Sequence, residues 1–294
     1  MDVVISQLLA GISLGSVLLL ASLGLSLTFG QLGVINNAHG EFMMAGAYAA
    51  YIVAGLIPYS GVSLLVALPA GFLVGGLLGA FLQVTLISRM RARPLDTLLA
   101  TFGVGLVLQQ LARDVFGAQP VYAVTPGWLS GPVWVAGVEV PATRVFILLV
   151  AVASLVGLYL VQQLTPLGRE IRATVENRDL AETSGISTSF VDVLTFFIGS
   201  GIAGLAGVAL TLMDAISFDF GSGYLVDAFL VVVAGGVGQL KGAVIAAFGL
   251  GIAQAFLEYW TDASAAKVIV LLLVVLLLQF RPQGLVSVRT RSLA

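Results

Sequence analysis

Long apolar segments recur along this chain and limit what it can fold into. Runs of 18 or more apolar residues follow one another, and each can cross a hydrocarbon core of ~30 Å as a helix. Charged residues make up 10% of the 294 residues, whereas a soluble domain carries about 25%. The runs are unbroken and rich in Leu, Ala and Gly, unlike the short alternating strands of outer-membrane barrels. The sequence therefore predicts an all-α, polytopic transmembrane helical bundle.

Nine apolar segments are predicted within a single transmembrane domain that covers residues 1–294. The start of the chain has no basic n-region, so we expect the first segment to be kept rather than cleaved as a signal peptide. The seventh segment is short and ends in glycines, which indicates a broken or re-entrant element. The predicted bounds are 6–29, 38–57, 62–88, 94–113, 144–164, 190–213, 225–238, 242–259 and 265–280.

Basic residues predict the orientation of these segments, because Lys and Arg concentrate in cytoplasmic loops. Three arginine clusters and Lys241 fall on one side, which we assign to the cytoplasm. This assignment places the N-terminus outside and the C-terminus inside, with residues 281–294 as a cytoplasmic tail. The expected location is the cytoplasmic membrane of a bacterium, as a multi-pass protein. The clusters are Arg89, Arg91 and Arg93; Arg169, Arg172 and Arg178; and Arg281, Arg289 and Arg291.

Residues 114–143 form the long loop predicted on the extracytoplasmic side. Its prolines exclude one continuous helix, so we expect a structured cap or a short hairpin. The loop also carries Trp128 and Trp134, and tryptophan is common at membrane interfaces. Two interpretations remain open: a loop that covers the bundle, or a docking surface for an external protein.

Residues 165–189 form a cytoplasmic segment that we expect to contain one or two short helices. Thr165 suits an N-cap, Asp179 and Glu182 have the spacing of a capping box, and Gly185 suits a C′ position. The segment is longer than the connection between two adjacent spans requires. It is therefore either an ordinary solvated connector or a surface that a partner protein binds.

Enzyme chemistry has little support in this sequence. There is no cysteine and only one histidine, so thiolate sites and clusters of metal ligands are excluded. The chain also lacks a phosphate-binding GxxxxGK[ST] loop and a serine nucleophile elbow. No basic stretch suggests nucleic acid. We expect a transport protein without a cofactor.

Polar residues inside the apolar segments are therefore the candidates for function, because each is costly in lipid. The densest group lies in GVINNAHGEFMMAGAY, residues 33–48. On a helix, Asn37 and Glu41 would share one face, and Asn36 and His39 another. Such residues either contact solute along its path or hold helices in register by hydrogen bonds, and both roles remain open. Further pathway candidates on the fourth segment are Asp96, Thr97, Thr101 and Gln109.

Glycines at helical spacing indicate close helix packing, because small residues let backbones approach in lipid. Gly71, Gly75 and Gly79 form a double GxxxG ridge. The sequences FGQLG (29–33) and VGQLKG (237–242) are also similar, although the similarity is too short to establish an internal repeat.

The stretch GLSLTFGQLGVINNAHGEFMMAGAY (24–48) resembles the N-terminal motif of the permease subunits of branched-chain amino acid-type ABC importers. That motif is close to G-x-x-N-x-A-H-G-E-x-x-x-x-G-A-Y. It is matched here by Gly33, Asn36, Ala38, His39, Gly40, Glu41, Gly46, Ala47 and Tyr48. The resemblance continues through TPLGREIRATVENRDLAETSGIS (165–187), FFIGSGIAGLAGVAL (196–210) and QFRPQGLV (279–286).

Within that family, two segments are closest to the urea-transporter permease of the B type. They are RPLDTLLATFGVGLVLQQLARDVFGA (93–118) and YLVDAFLVVVAGGVGQLKG (224–242). One departure from the family pattern is Asn37, where many relatives have Phe or Met, so Asn37 is a weaker candidate ligand than its neighbours.

The resemblance implies an ATP-driven importer of urea, in which this chain and a second homologous permease form the pathway. Two cytoplasmic ATP-binding subunits would bind the 165–189 segment, and an extracytoplasmic solute-binding protein would deliver the solute. The alternatives are import of branched-chain amino acids or small amides, a passive urea channel, or a proton-coupled carrier that uses His39 and Glu41. The expected ATPase-coupling residues are Arg169, Arg172, Glu176, Asn177, Arg178, Asp179 and Glu182.

Overall fold

The computed structural model describes residues 2–90, 94–123, 125–135 and 137–286, and these ranges contain twelve α-helices and a two-stranded sheet. Arg91, Arg93, Arg289 and Arg291, and with them most of the predicted tail, lie outside the described residues. The helices are α1 (Asp2–Leu32), α2 (His39–Leu56), α3 (Ser60–Leu82), α4 (Ser88–Met90), α5 (Pro94–Phe116), α6 (Ala142–Leu164), α7 (Pro166–Glu176), α8 (Arg178–Thr183), α9 (Thr188–Leu210), α10 (Ser222–Gly235), α11 (Leu240–Trp260) and α12 (Ala263–Phe280).

The helical bundle is confirmed, and each of the nine predicted segments overlaps a helix. In the described ranges, seven helices are long and apolar enough to cross a membrane. One of the seven is continuous over Ser60–Met90, because α3 passes through a π-helical turn, Gln83–Ile87, into α4. The seven do not include α2 and α10.

Glycines form the closest helix contacts in the bundle, as the ridge on α3 predicts. A Cβ built on Gly75 would lie 2.5 Å from the carbonyl oxygen of Ser200 and 3.0 Å from the Cα of Gly204. Gly71 and Gly79 face the same side of α9. Since α9 is enclosed by α1, α2 and α3, any larger side chain at this contact would force the helices apart.

The segment before α2 turns back into the bundle. After α1 ends at Leu32, residues 33–38 are not helical, and His39 Nε2 then lies 3.0 Å from the carbonyl oxygen of Ala21. Ala21 is about 16 Å from the end of α1 at the 1.5 Å rise per residue of an α-helix. The helix α2 therefore begins partway along α1. The predicted segment 38–57 matches the bounds of α2, but α2 is not among the seven helices that are long and apolar enough to cross a membrane.

Helix α10 begins at the same depth in the bundle as α2 and runs in the opposite direction to α2. The backbone of Gly221, just before α10, touches the backbone of Gly40 in the first turn of α2. Beyond α10, Gly238 packs against Gly30 near the end of α1. The two similar sequences, 29–33 and 237–242, are therefore in contact. In contrast, α2 runs toward the end of the bundle where Ala50 packs with residues that border the hairpin. The short element predicted at 225–238 is confirmed as α10, one helix of 14 residues, and its re-entrant course stays a prediction.

The loop predicted as a cap or hairpin contains a hairpin. Strands β1 (Pro132–Val135) and β2 (Val138–Pro141) pair antiparallel, with Val133 opposite Val140. Trp128 packs edge to face on Phe146 at 5.6 Å, whereas the ring of Trp134 is exposed. We call this the hairpin end of the bundle.

The opposite end carries two short helices, as predicted, and we call it the coupling end. Thr165 caps α7 by accepting a hydrogen bond from Gly168 N at 3.3 Å, and Gly185 after α8 has a φ of +87°. The predicted capping box of Asp179 and Glu182 is wrong. Asn177 caps α8 instead, because its side chain accepts from Leu180 N at 3.0 Å.

Candidate functional site

One face of α5 packs along the segment that leads into α2. Four residues on this face are spaced four apart: Thr97, Thr101, Gly105 and Gln109. The Thr101 hydroxyl accepts from the backbone N–H of Asn37 at 3.1 Å. A Cβ on Gly105 would lie 3.5 Å from Cγ of Glu41, and Gln109 Nε2 donates to Glu41 Oε1 at 2.8 Å.

Two of the α5 candidates therefore meet the 33–48 group, and two do not. Thr101 and Gln109 contact Asn37 and Glu41 as described. The Thr97 hydroxyl donates instead to the carbonyl oxygen of Met90 at 3.1 Å. Asp96 is exposed in the first turn of α5. The structure brings together Asn37, Glu41, Thr101 and Gln109.

Asn36 and Asn37 do not occupy a helix, so the prediction of shared helical faces is wrong. The side-chain oxygen of Asn36 accepts from Ala38 N at 3.0 Å, which is the local turn that asparagine favours before a helix. The carbonyl oxygen of Asn36 accepts from His39 N at 3.3 Å. Asn36 thus shapes the start of α2 through bonds to its own neighbours in sequence.

The first turns of α2 and α10 meet where Gln109 lies. A Cβ on Gly40 would lie 2.6 Å from the carbonyl oxygen of Gly221, so only glycines allow this approach. Gln109 Nε2, which binds Glu41, also lies 3.0 Å from Ser222 Oγ at the start of α10. We call these residues, Gly40, Glu41, Gln109, Gly221 and Ser222, the half-helix junction.

The junction contains buried polar atoms without partners. Glu41 is only 3% exposed, and its Oε2 has no hydrogen-bond partner among the described residues. The same holds for His39 Nδ1 and Asn36 Nδ2 in the fully buried side chains beside it. Buried polar atoms are normally paired, and each exception calls for an explanation.

Ser222 and Gly221 are members of the junction that the sequence analysis missed. They stand in the short run FGSGY (220–224), which is typical of a loop. A signal was present, because a small polar residue between glycines directly before an apolar run is typical of a helix start.

At the coupling end, Arg178 points into the bundle rather than outward. Its Nη2 lies 2.9 Å from Asp192 Oδ2 and 2.6 Å from Thr188 Oγ1. Asp192 is fully buried in the first turns of α9, and Gln31 Nε2 on α1 donates to its other oxygen at 3.3 Å. Arg178 thus joins α8 to α9 and, through Asp192, to α1. This internal role is absent from the expectations drawn from the sequence.

The other predicted coupling residues form an exposed surface at the same end. Val175 and Leu180 lie among them, and both aliphatic side chains are more than half exposed. The exposed predicted residues are Arg169, Arg172, Glu176, Asn177, Asp179 and Glu182, and with Val175 and Leu180 they are the coupling surface below.

Comparison with known proteins identifies the type of protein. The LivH permease of the high-affinity branched-chain amino acid transport system of Escherichia coli (strain K12) is 29% identical over 300 residues, which cover 96% of this chain and 95% of LivH. BraD, the corresponding permease of Pseudomonas aeruginosa, is 29% identical over 295 residues with the same coverage of both chains. No solved structure matches the chain.

These relatives are named as transport permeases, and this chain is likewise a transport subunit rather than an enzyme. The sequence pattern of one family covers residues 7–278, nearly the whole bundle. The chain belongs to the family described as the permease component of branched-chain amino acid transport systems.

Proposed function

We propose that this chain forms, with a second homologous permease, the membrane pathway of an ATP-driven importer, and that the solute passes the half-helix junction. Membership of the permease family supports the first part. The junction supports the second, because Ser222 is exposed and Gln109 half-buried at the depth where α2 and α10 begin. Polar groups at that depth are unfavourable against lipid and are expected to face a cavity or another subunit.

We propose urea as the solute. Urea is small and neutral, with four N–H donors and one accepting oxygen, so its pathway needs hydrogen-bonding groups but no partner of opposite charge. Gln109, Ser222 and Thr101 supply such groups. The nearest cation on α5, Arg113, lies over the ring of Phe218 at 5.3 Å. The resemblance of residues 93–118 to the urea-type permease supports the same choice.

Branched-chain amino acids are the second candidate. The names of the relatives support them. A structural observation also favours them, because an apolar groove of ≈ 540 Å³ runs between α3 and α5. Its lining includes Phe42, Val104 and Leu108, which are sequence neighbours of Glu41, Gly105 and Gln109. A groove of this kind suits an aliphatic side chain, which urea lacks.

We further propose that the partner subunits bind at opposite ends of this single transmembrane domain. The coupling surface, with the exposed Val175 and Leu180, would contact an ATP-binding subunit in the cytoplasm. The hairpin end, with the exposed Trp134, would face the external solute-binding protein. This arrangement puts the N-terminus outside, in agreement with the distribution of basic residues.

Reconstituted transport tests these proposals. The permease pair, both ATP-binding subunits and the loaded solute-binding protein are placed in lipid vesicles, and uptake of radiolabelled urea and leucine is measured with and without ATP. We expect urea uptake that requires ATP and resists saturating leucine. A complex whose ATPase subunits cannot hydrolyse ATP is the matched control.

Each other result points to a specific alternative. Leucine uptake, with urea failing to accumulate, would support the amino acid importer. Urea uptake that persists without ATP would support a passive channel. Uptake driven by an imposed proton gradient alone would support a proton-coupled carrier, and either of the last two would overturn the importer.

A further inference from the structure

The first turn of α10 presents hydrogen-bond donors to open space. The first residues of any α-helix lack intrahelical acceptors for their N–H groups. Ser222 N donates to the carbonyl oxygen of Asp219 at 3.0 Å, but the N-cap residue, Gly221, is a glycine and supplies no side chain. The next two N–H groups belong to Gly223 and Tyr224. Gly223 is exposed, and no atom lies within 4 Å of the position that its Cβ would take.

A hydrogen-bond acceptor without a partner lies beside these donors. Glu41 Oε1 is held by Gln109 Nε2, and the same nitrogen lies 3.0 Å from Ser222 Oγ. The carboxylate is therefore close to the start of α10. Within the described part of the chain its Oε2 has no hydrogen-bond partner, although only 3% of the residue is exposed. An unpaired buried acceptor of this kind is destabilising unless a donor reaches it.

These two features are complementary to a single small molecule. The N-terminus of a helix carries a partial positive charge and attracts an oxygen with negative character. The carboxylate of Glu41 attracts an N–H group or an ammonium group. Gln109 Nε2 contacts both Glu41 Oε1 and Ser222 Oγ, so the carboxylate and the start of α10 are neighbours. A small molecule that carries both an oxygen acceptor and an N–H group matches the two features.

We propose that the half-helix junction, extended by the next two residues of α10, is a solute-binding site. In it a carbonyl or carboxylate oxygen binds the N–H groups of Gly223 and Tyr224, and an N–H or ammonium group binds Glu41. This inference rests on the proposed function and adds the orientation of the solute. Urea and amino acids share the required chemistry. They differ in charge, because urea places a neutral amide at Glu41 and an amino acid places an ammonium group there.

Two substitutions at the junction test the site. Gly223→Ala puts a methyl group into the open space in front of α10, and Glu41→Gln keeps the shape of the side chain but removes its charge. Gly157→Ala on α6 is the matched control, because no atom lies within 4 Å of its Cβ position either. Uptake of urea and of leucine is measured in the reconstituted complex, together with stimulation of the ATPase by the loaded solute-binding protein.

We expect Gly223→Ala to lower ATP-driven uptake at least tenfold and Gly157→Ala to leave it within twofold of wild type, with ATPase stimulation kept in both. Glu41→Gln should reduce leucine uptake at least tenfold if the solute is an amino acid, and urea uptake by a smaller factor if it is urea. If the wild-type complex takes up solute and both variants take it up equally well, the proposed site is wrong and the proposed function stands.

Two further outcomes are decisive. If both variants lose ATPase stimulation as well as uptake, the proposed binding site is wrong, because the residues would then hold the helices in place rather than bind the solute. No ATP-driven uptake by the wild-type complex would overturn the proposed function and this inference with it.

Discussion

The buried ion pair between Arg178 and Asp192 makes a quantitative prediction. Arg178→Met removes the cation and leaves the fully buried carboxylate of Asp192 with Gln31 as a neighbouring donor. Breaking a buried pair by removing one partner costs ~3–5 kcal/mol. The side chain of Arg178 is 29% exposed and Gln31 remains, so we expect the lower end of that range, about 3 kcal/mol of unfolding free energy.

The free energy of unfolding is measured by SDS titration of the purified protein in mixed micelles. The double variant Arg178→Met/Asp192→Leu should recover most of the loss, because it removes the buried carboxylate together with its cation. The matched control is Lys267→Met, which breaks an exposed pair with Asp227 at 3.5 Å and should change stability by less than ~1 kcal/mol. A loss below ~0.5 kcal/mol for Arg178→Met, similar to an ordinary surface change, would refute the reasoning.

Three further predictions concern packing and the two ends of the bundle. Gly204→Val should prevent a stable bundle, because the backbone of Gly71 fills the space beside Gly204; a single monodisperse peak in size-exclusion chromatography would contradict this. Glu176→Lys on the exposed face of α7 should abolish stimulation of the ATPase by loaded solute-binding protein while leaving stability within ~0.5 kcal/mol of wild type; unchanged stimulation would argue against the coupling surface. Trp134→Ala should weaken binding of the solute-binding protein about tenfold, ~1.4 kcal/mol, without changing the melting temperature; equal affinity in biolayer interferometry would remove the hairpin from that interface.

The helices could be predicted from the sequence because lipid allows few alternatives. A backbone in the hydrocarbon region must satisfy its own hydrogen bonds, so long apolar runs become helices. The ridge of Gly71, Gly75 and Gly79 could also be predicted, because spacing alone puts these residues on one face of a helix. Hydropathy does not report the depth at which a helix begins. The starts of α2 and α10 depend on contacts with α1 and α5, which are distant in sequence.

The candidate site could be predicted only in part. Thr101 and Gln109 stood out because they are polar residues in an apolar helix, and they meet Asn37 and Glu41. The faces considered for a helix through Asn37 do not form, because residues 33–38 are not helical. A non-helical stretch is allowed at that depth only when protein surrounds it, which the local sequence does not show.

The internal role of Arg178 was missed for a related reason. A charged residue in a polar loop is typical of a solvated surface, and nothing in the loop itself indicates otherwise. The available signal was Asp192, an acid at the start of a strongly apolar helix. Such a group needs a partner when it is buried, and an arginine in the preceding loop is a natural choice.

The non-helical segment 33–38 has a consequence for how the chain enters the membrane during synthesis. The backbone N–H of Asn37 is satisfied by Thr101, which is made more than sixty residues later. Until α5 emerges from the ribosome, this segment has no partner there and is poorly suited to lipid. We therefore expect α2 to stay outside the bilayer or in the insertion machinery until α5 arrives, so that nascent chains ending before residue 94 leave α2 accessible to water-soluble labels.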